Sequence, residues 1–325
     1  MRNLLVALAV ATCVTAAPLV AAQADQQGKR IAYFGTAAGH PFMAGMNKAI
    51  IAKATPLGMQ VTSFFSPFDP ALQAQQVDDA IARKFDIILM VAVSEHAIVP
   101  SLERAKKAGI PVILITGTMQ GHDDLYMTFV GENPVEQGRM AGEATVRGLK
   151  ASGRDGGNVA LITGSLEDGV APMRVQGFKD AVAVNPKIKI VAIEDAKWDT
   201  ALSEKAAGQL FARFSGQGGL AAIHGMADNQ AVAIVAAAEA AGIKVGSGPN
   251  ELLVIGGSCQ KQGIDGIKAG TIYASFNQVP GAAGEMAVQV AADYFNGKMP
   301  ARAIYIPVEA VTKANLDKWA GPCSY

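Results

Sequence analysis

The segment Ile87-Ile88-Leu89-Met90-Val91-Ala92-Val93 is an apolar run without a polar interruption. Such a run is typical of a strand in a parallel sheet, because helices cover both faces of that kind of sheet. The sequence then predicts a helix over Ser94–Ala108, ending at Gly109, and another apolar strand over Val112–Ile115. This order of strand, helix and strand predicts parallel strands joined by a crossover helix.

The same alternation extends upstream of this segment. Strands are predicted over Arg30–Gly35 and Gln60–Phe65. Pro41 stands where a proline is tolerated in the first turn of a helix, and Asp69 is placed to cap the helix that begins at Pro70. The alternation therefore covers the first part of the chain.

Downstream, the pattern ends near Gly131 and restarts near Asn133, and the last strands are predicted over Tyr273–Asn277 and Ile304–Ile306. About eleven strands in total are more than one compact sheet usually holds. We therefore predict an α/β fold of two Rossmann-like lobes with parallel sheets, and no long linker separates them.

The composition supports a globular protein. The 325 residues contain 28 Lys or Arg and 28 Asp or Glu, half are apolar and 17% are charged. The length suits two modest domains or one large one. Since there is no basic excess and no run of Lys or Arg, the chain lacks the electrostatic footprint of a nucleic-acid-binding protein.

The first residues have the pattern of a secretory signal peptide. Arg2 precedes the apolar segment Leu4–Val14, and Ala22-Gln23-Ala24 forms a small-x-small cleavage signal. The alternative is an uncleaved membrane anchor, but the apolar segment is shorter than the ~20 residues that a bilayer span needs. We predict removal of residues 1–24 and a periplasmic location for the remaining chain.

Two cysteines, Cys259 and Cys323, remain once the signal peptide with Cys13 is removed. An oxidising compartment permits a disulfide, so we predict one bridge that fixes the C-terminal tail. The alternative is two unpaired cysteines. Neither the number nor the spacing predicts a metal site.

Catalytic signatures are missing from the sequence. It contains no G-x-S-x-G nucleophile elbow, no phosphate-binding P-loop and no G-x-G-x-x-G after the first strand. The four histidines are scattered without zinc-ligand spacing. We therefore predict neither an enzyme nor a cofactor.

A ligand site is predicted at the carboxyl ends of the strands, where open parallel sheets bind their ligands. Two facing lobes would line a shared cleft with the loops that follow their strands. These loops are Thr36–Met43, Val93–His96, Thr116–Met119, Gly164–Arg174, Lys197–Asp199, Gly225–Asn229 and Ser258–Lys261.

Two aromatic residues in these loops, Phe42 and Trp198, are candidates for stacking on a sugar ring. The alternatives are that Phe42 belongs to a helix core and that Trp198 fills a loop. Among the charged residues, Arg174 could bind two hydroxyls or a carboxylate, unless it is a solvated helix arginine. Asp228 could bind ligand or only cap its helix.

Further polar candidates complete the predicted set. His40 could donate into the cleft or serve only as a loop or cap residue. The remaining candidates are hydroxyls that follow strands and an amide near a probable crossing between the lobes: Thr36, Thr116, Ser258 and Gln278.

The order of these motifs resembles the type I periplasmic binding proteins, in the ribose- and galactose-binding branch that serves carbohydrate ABC transporters. The resemblance spans essentially the whole chain after the signal peptide. The segments that carry it are Ile31-Ala32-Tyr33-Phe34 through Gly39-His40-Pro41-Phe42, Ile110-Pro111-Val112-Ile113, Arg174-Val175-Gln176-Gly177-Phe178, Ala227-Asp228-Asn229 and Gly266-Ile267-Lys268-Ala269-Gly270.

The resemblance implies two lobes joined by a three-strand hinge, with crossings near Glu132, Gln278 and Pro307–Glu309. The N-terminal lobe would comprise residues 25–131 and 279–308, and the C-terminal lobe residues 132–278 and 309–325. The ligand positions of the family correspond here to Thr36, His40, Phe42, Met43, Arg174, Trp198 and Gln278.

Four places depart from the ribose-type pattern. Val91-Ala92 replaces the usual Asn or Asp, Thr116-Gly117 replaces Asp-Arg, Ala227 replaces Asn, and Ser258 replaces an acidic residue. A buried site built to pair with hydroxyls discriminates strongly, because unpaired polar groups are costly. We therefore expect a smaller, less hydroxylated or modified ligand, with an anionic sugar derivative as an alternative.

The leading hypothesis is a binding protein for a small sugar, polyol or sugar derivative that docks on an ABC transporter permease. A chemoreceptor would be an additional partner. A non-carbohydrate metabolite or signalling molecule stays open as the ligand. A periplasmic enzyme is a second class, and a sugar-responsive transcription regulator is a third, although the latter would need an N-terminal helix-turn-helix.

Overall fold

The computed structural model describes residues 25–325, so the predicted signal peptide lies outside the described residues. The strands of this part of the chain are β1 Arg30–Gly35, β2 Gln60–Phe65, β3 Ile87–Met90, β4 Val112–Ile115, β5 Thr128–Gly131, β6 Gly157–Thr163, β7 Ile188–Asp195, β8 Ala222–Gly225, β9 Leu253–Ile255, β10 Ser275–Phe276, β11 Ala303–Tyr305 and β12 Ala310–Val311.

The α-helices of the same part are α1 Pro41–Ala54, α2 Pro70–Ala82, α3 Val99–Lys107, α4 Pro134–Ala151, α5 Ala171–Val182, α6 Thr200–Phe214, α7 Asp228–Ala240, α8 Lys261–Ala269, α9 Pro280–Phe295 and α10 Leu316–Trp319. Pro41 begins α1, and the Asp69 carboxylate accepts the Leu72 amide at 3.0 Å, as predicted. None of these helices is both long and apolar enough to cross a membrane.

Two parallel sheets dominate the described residues. The first has six strands in the order β11-β5-β4-β3-β1-β2, and the second has four in the order β7-β6-β8-β9. All pairs within both sheets are parallel. The predicted α/β class with parallel sheets is confirmed.

The apolar run that predicts the fold is buried on both sides of the first sheet. Ile87 and Leu89 lie in a core cluster with residues of α1 and α9, and Ile88 and Met90 lie in another with residues of α2 and α3. Successive side chains of a strand point to opposite faces, so an unbroken apolar run fits a strand with helices on both sides.

The strand nevertheless ends earlier than the run predicts. The Gln73 side chain donates to the Val91 carbonyl at 3.0 Å and accepts the Val93 amide at 2.9 Å. These bonds replace sheet pairing, so residues 91–93 form a loop at the carboxyl end of β3. The following helix also starts later than predicted, at Val99, because the Ser94 hydroxyl accepts the Ala97 amide in an intervening turn.

The late part of the chain differs most from the prediction. Only Ser275–Phe276 of the predicted strand over Tyr273–Asn277 forms a strand, and it pairs antiparallel with Ala310–Val311. The prediction also missed α8, β12 and α10 in this part of the chain and β5 earlier in it. A pairing of two residues on each side depends on tertiary contacts and leaves no pattern in the sequence.

The chain passes between the sheets at three places. Glu132 follows β5 of the first sheet and precedes α4 and β6 of the second. Gln278 follows β10 and precedes α9, which packs against α1. The segment 307–309 joins β11 of the first sheet to β12, after which α10 packs against α8.

Candidate functional site

A cavity of about 70 Å³ lies among the carboxyl ends of both sheets. A single water needs roughly 10–15 Å³ on this scale, so the cavity is suited to one small molecule. Nine of the ten predicted ligand residues line it, and these are Thr36, His40, Phe42, Met43, Thr116, Arg174, Trp198, Ser258 and Gln278. The residues that depart from the ribose-type pattern, Val91-Ala92, Thr116-Gly117, Ala227 and Ser258, also line it.

Asp228 is the predicted residue that the cavity does not include. Its fully buried carboxylate accepts the amides of Gly257 at 2.9 Å and Gln260 at 2.7 Å, and the Ser275 hydroxyl at 2.7 Å. Burial raises the pKa of this carboxyl to about 7. Asp228 therefore fixes the loop at residues 256–260, and a ligand contact by Asp228 stays a prediction.

Asp168 is a cavity residue that sequence reasoning did not single out. Its Oδ2 accepts the Trp198 indole N–H at 2.7 Å, and its Oδ1 accepts the amides of Val170 at 2.9 Å and Ala171 at 2.8 Å. Burial raises its pKa to about 6, although these hydrogen bonds oppose the rise. The available signal was an acidic residue inside the predicted cleft loop Gly164–Arg174.

The Trp198 ring is held in place from several sides. A Cβ at Gly164 would overlap the ring, so that position must be glycine for the ring to lie there. The Arg174 guanidinium lies 5.5 Å from the centre of the ring. Trp198 also has a φ of 62°, in the left-handed region that non-glycine residues rarely adopt.

Strained backbone is concentrated at the cavity. Seven non-glycine residues of the described chain have positive φ, and four of them, Phe68, Thr116, Trp198 and Ser258, line the cavity. Such conformations cost on the order of 1–3 kcal/mol each and cluster at ligand clamps, where the surrounding structure enforces them. This observation supports a binding role for the cavity.

Arg174 is buried and joins the cavity to the crossing segments. Its guanidinium donates to the Met226 carbonyl at 3.2 Å and to Gln278 Oε1 at 3.0 Å, while its Nε has no partner. Gln278 Nε2 in turn donates to Glu132 Oε2 at 2.9 Å. Burial lowers the pKa of Arg174 to about 10, so the guanidinium stays charged at neutral pH. Burial also raises the pKa of Glu132.

His40 supplies two further unsatisfied groups, because both of its ring nitrogens are buried without a hydrogen-bond partner. Burial lowers the pKa of the imidazole, which favours the neutral ring at pH 7. A neutral imidazole has one donor and one acceptor, so His40 can donate a hydrogen bond to one ligand hydroxyl and accept one from another.

The predicted Cys259–Cys323 disulfide is present beside the cavity residue Ser258. It brings the C-terminal segment to the site, where the Tyr325 hydroxyl donates to the carbonyls of Ser258 and, at 3.1 Å, Gln278. The Tyr325 ring also meets the Phe42 ring, with 6.4 Å between centres. Phe42 thus serves both the core and the cavity wall.

The loops of the two sheets touch each other at the rim of the cavity. The Glu95 amide donates to the Glu167 carbonyl at 3.2 Å, and a Cβ at Gly169 would overlap the Thr118 carbonyl oxygen. These contacts join the loops of the two sheets beside the cavity. Within residues 25–325, no three His, Cys, Asp or Glu side chains form a metal-ligand group.

Comparison with known proteins agrees with the fold. A Rhizobium meliloti protein named as rhizopine-binding is 27% identical over 99% of both chains, and the ribose import binding protein of Haemophilus influenzae is 24% identical over 84% of this chain and 88% of its own. The crystal structure of the Caulobacter myo-inositol binding protein has a TM-score of 0.83 at 20% identity, over 94% of this chain and 99% of that chain. The family model described as periplasmic binding protein domain matches residues 31–299, and the chain therefore belongs to the periplasmic binding protein family.

Proposed function

We propose that this protein is the periplasmic substrate-binding component of an ABC uptake transporter, and that it binds a small sugar, polyol or sugar derivative in the cavity. The observation that carries the proposal is a cavity between the two sheets, with a tryptophan in its wall and buried polar atoms that no protein group satisfies. These atoms are both ring nitrogens of His40 and Nε of Arg174. Buried polar groups without partners are costly, so a ligand that supplies hydroxyls would satisfy them.

The names of the relatives support the ligand class. The Haemophilus relative is named as a ribose import binding protein, and the Caulobacter structure contains myo-inositol. Both ligands are compact molecules with several hydroxyls. A ligand of that size and chemistry would suit a small cavity with an aromatic wall and mixed donors and acceptors.

The mechanism we propose is closure of two lobes about the three crossings at Glu132, Gln278 and 307–309. One lobe would comprise residues 25–131 and 279–308, and the other residues 132–278 and 309–325. Arg174, Gln278 and Glu132 form a continuous hydrogen-bonded series from the cavity to two of the crossings. Ligand bound to Arg174 would therefore stabilise the hinge arrangement of the closed form, which then docks on the permease.

An anionic sugar derivative is the second candidate ligand. Within the described residues, the Arg174 guanidinium forms no ion pair within 4.0 Å, although Asp168 and Glu132 lie near enough to influence its pKa. A ligand carboxylate could accept two parallel hydrogen bonds from this group.

We further propose that the protein binds its ligand without transforming it and is exported by cleavage near Ala24.

A thermal-shift screen of the chain from residue 25 tests the proposal, with pentoses, hexoses, polyols, sugar acids and amino acids as probes. A ligand that binds the folded state raises the Tm by mass action, and we expect this with at least one sugar, polyol or sugar acid. The variant Arg174→Met, which keeps an apolar stem without the charge, should lose most of that shift. A shift with amino acids alone would refute the carbohydrate assignment.

A further inference from the structure

The cavity has two walls of unequal polarity. The loops after β1, β2 and β3 contribute mainly apolar side chains, which are Phe42, Met43, Phe68, Val91, Ala92 and Val93. The loops of the second sheet and the start of α5 contribute Asp168, Arg174, Trp198 and Ser258 beside the apolar Val170 and Ala227, and Gln278 lies at a crossing. A ligand in this space therefore meets hydrogen-bonding groups on one side and hydrocarbon on much of the other.

Part of the backbone of residues 91–93 is bonded to the protein and does not compensate for these apolar side chains. The Val91 amide donates to the Phe34 carbonyl at 2.8 Å. The Val91 carbonyl and the Val93 amide are both bonded to the Gln73 side chain, at 3.0 and 2.9 Å. These three of the six backbone groups of residues 91–93 already have protein partners, which limits what the segment can offer a ligand.

The polar side chains that the first sheet does contribute come from other loops. Thr36 and His40 lie between β1 and the start of α1, and Thr116 follows β4. They can bind hydroxyls elsewhere on the ligand but do not belong to the 91–93 segment. A ligand hydroxyl directed at the side chains of residues 91–93 would lose its water without gaining a side-chain partner, which is unfavourable.

We infer that the ligand is amphipathic, with a deoxy, O-methylated or otherwise hydroxyl-free side against residues 91–93 and its hydroxyls toward Asp168, Arg174 and Gln278. This inference rests on the proposed function and specifies the chemistry of the same site. Val91 and Ala92 are then the residues that determine specificity. Ala92 is the better position to alter, because its side chain is small and only partly buried.

Matched ligand pairs measured by calorimetry test the inference. Suitable pairs are D-ribose and 2-deoxy-D-ribose, D-galactose and D-fucose, and myo-inositol and its mono-O-methyl ethers. For the pair that the site accepts, we expect the less hydroxylated member to bind roughly 10- to 100-fold more tightly, as an apolar pocket discriminates against an added hydroxyl. Equal or tighter binding of the fully hydroxylated member in every pair would overturn the inference.

Two variants of nearly equal size separate polarity from volume. Ala92→Asn introduces a donor and an acceptor, and Ala92→Leu introduces a similar bulk without either. We expect Asn to shift the affinity ratio at least 10-fold toward the hydroxylated member, while Leu weakens both members and leaves their ratio unchanged. Equal ratios in the two variants would refute the role of residue 92, and the Tm of each unliganded variant verifies its folding.

The proposed function can fail separately from this inference. If no sugar, polyol or sugar acid raises the Tm of the unaltered protein, the carbohydrate assignment fails, and the inference fails with it. If such ligands bind but the hydroxylated members are preferred, only the inference fails.

Discussion

The second sheet has one buried aspartate in the loop after β6 and another at the start of α7, and the two have different roles. Asp168, in the loop after β6, faces the cavity and holds the Trp198 indole. The Asp228 carboxylate lies outside the cavity lining and holds the backbone of residues 256–260, which the Cys259–Cys323 disulfide also fixes. Both carboxyls have a raised pKa because of burial, so this property alone does not separate a ligand-site residue from a structural one.

The difference lies in what each carboxylate satisfies. Asp228 accepts two backbone amides of the 256–260 loop and the Ser275 hydroxyl, so its neighbours depend on it for their hydrogen bonds. Asp168 orients one aromatic side chain of the cavity wall in addition to two amides at the start of α5. We therefore expect the loop at 256–260 to be rigid and the loop at 164–171 to respond to ligand.

Replacement of Asp228 should have the largest effect, and the effect should be on stability. Asp228→Ala leaves three buried donors without an acceptor, and we expect the free energy of unfolding to fall by about 3–5 kcal/mol. Urea unfolding followed by circular dichroism measures this loss. Asp228→Asn retains one acceptor oxygen and should lose less. An unchanged midpoint together with abolished ligand binding would instead make Asp228 a ligand contact.

Removal of the disulfide should have the next largest effect on the same loop. The bond closes a loop with a sequence separation of 64, and its loss through Cys323→Ser should lower the unfolding free energy by about 2–4 kcal/mol. The reductant dithiothreitol should produce a similar decrease in the unaltered protein and none in the variant. A reductant effect of equal size in both proteins would show that the bond is not its source.

Replacement of Asp168 should instead act mainly on ligand binding. In Asp168→Asn the amide can present a donor to the Trp198 N–H, so we expect ligand affinity to fall about 10- to 100-fold, with a smaller stability loss of about 1–2 kcal/mol. Calorimetry measures the affinity. The background Trp198→Phe lacks the indole N–H, so the same replacement should cost less affinity there. Equal losses in both backgrounds would exclude action through Trp198.

Much of the fold could be predicted from the sequence, because parallel strands and their covering helices leave strong local patterns. The predicted bounds of β1, β2 and β4 agree with the structure. The short pairing of β10 with β12 was missed because it depends on which segments the fold brings together. The end of β3 was misplaced because the Gln73 side chain, distant in sequence, satisfies its backbone.

The sequence predicted the position of the site better than the role of each residue in it, and the two aspartates illustrate why. Asp168 precedes α5 by three residues and Asp228 is the first residue of α7, so each follows a strand of the second sheet and the local sequence gives a similar signal for both. Only the three-dimensional structure shows that Gly256 and Gly263 leave room for the Asp228 carboxyl and that the Trp198 ring lies over Gly164. Residue type and loop position predict proximity to a cleft, but they do not predict the direction of a side chain.

The pH dependence of stability should show the smallest difference between the two aspartates. Burial raises the pKa of Asp228 from 3.8 to about 7 and that of Asp168 from 3.8 to about 6. Above pH 4 the folded state therefore keeps a proton that the unfolded chain has lost, so each group makes stability fall as the pH rises, until its folded pKa is passed. His224 has a lowered pKa of about 4 and acts in the opposite direction.

Comparison of each Asn variant with the unaltered protein isolates these contributions, since His224 is common to all three proteins and its effect cancels. The unaltered protein should lose stability relative to Asp228→Asn by on the order of 1 kcal/mol per pH unit between about pH 4 and 7. Relative to Asp168→Asn, the loss should end near pH 6. Urea unfolding of the unliganded proteins across this range provides the measurement. Differences that do not change with pH would show that neither carboxyl is protonated in the folded state. A pH range for Asp168 that extends beyond that of Asp228 would show that burial raises the pKa of Asp168 more than that of Asp228.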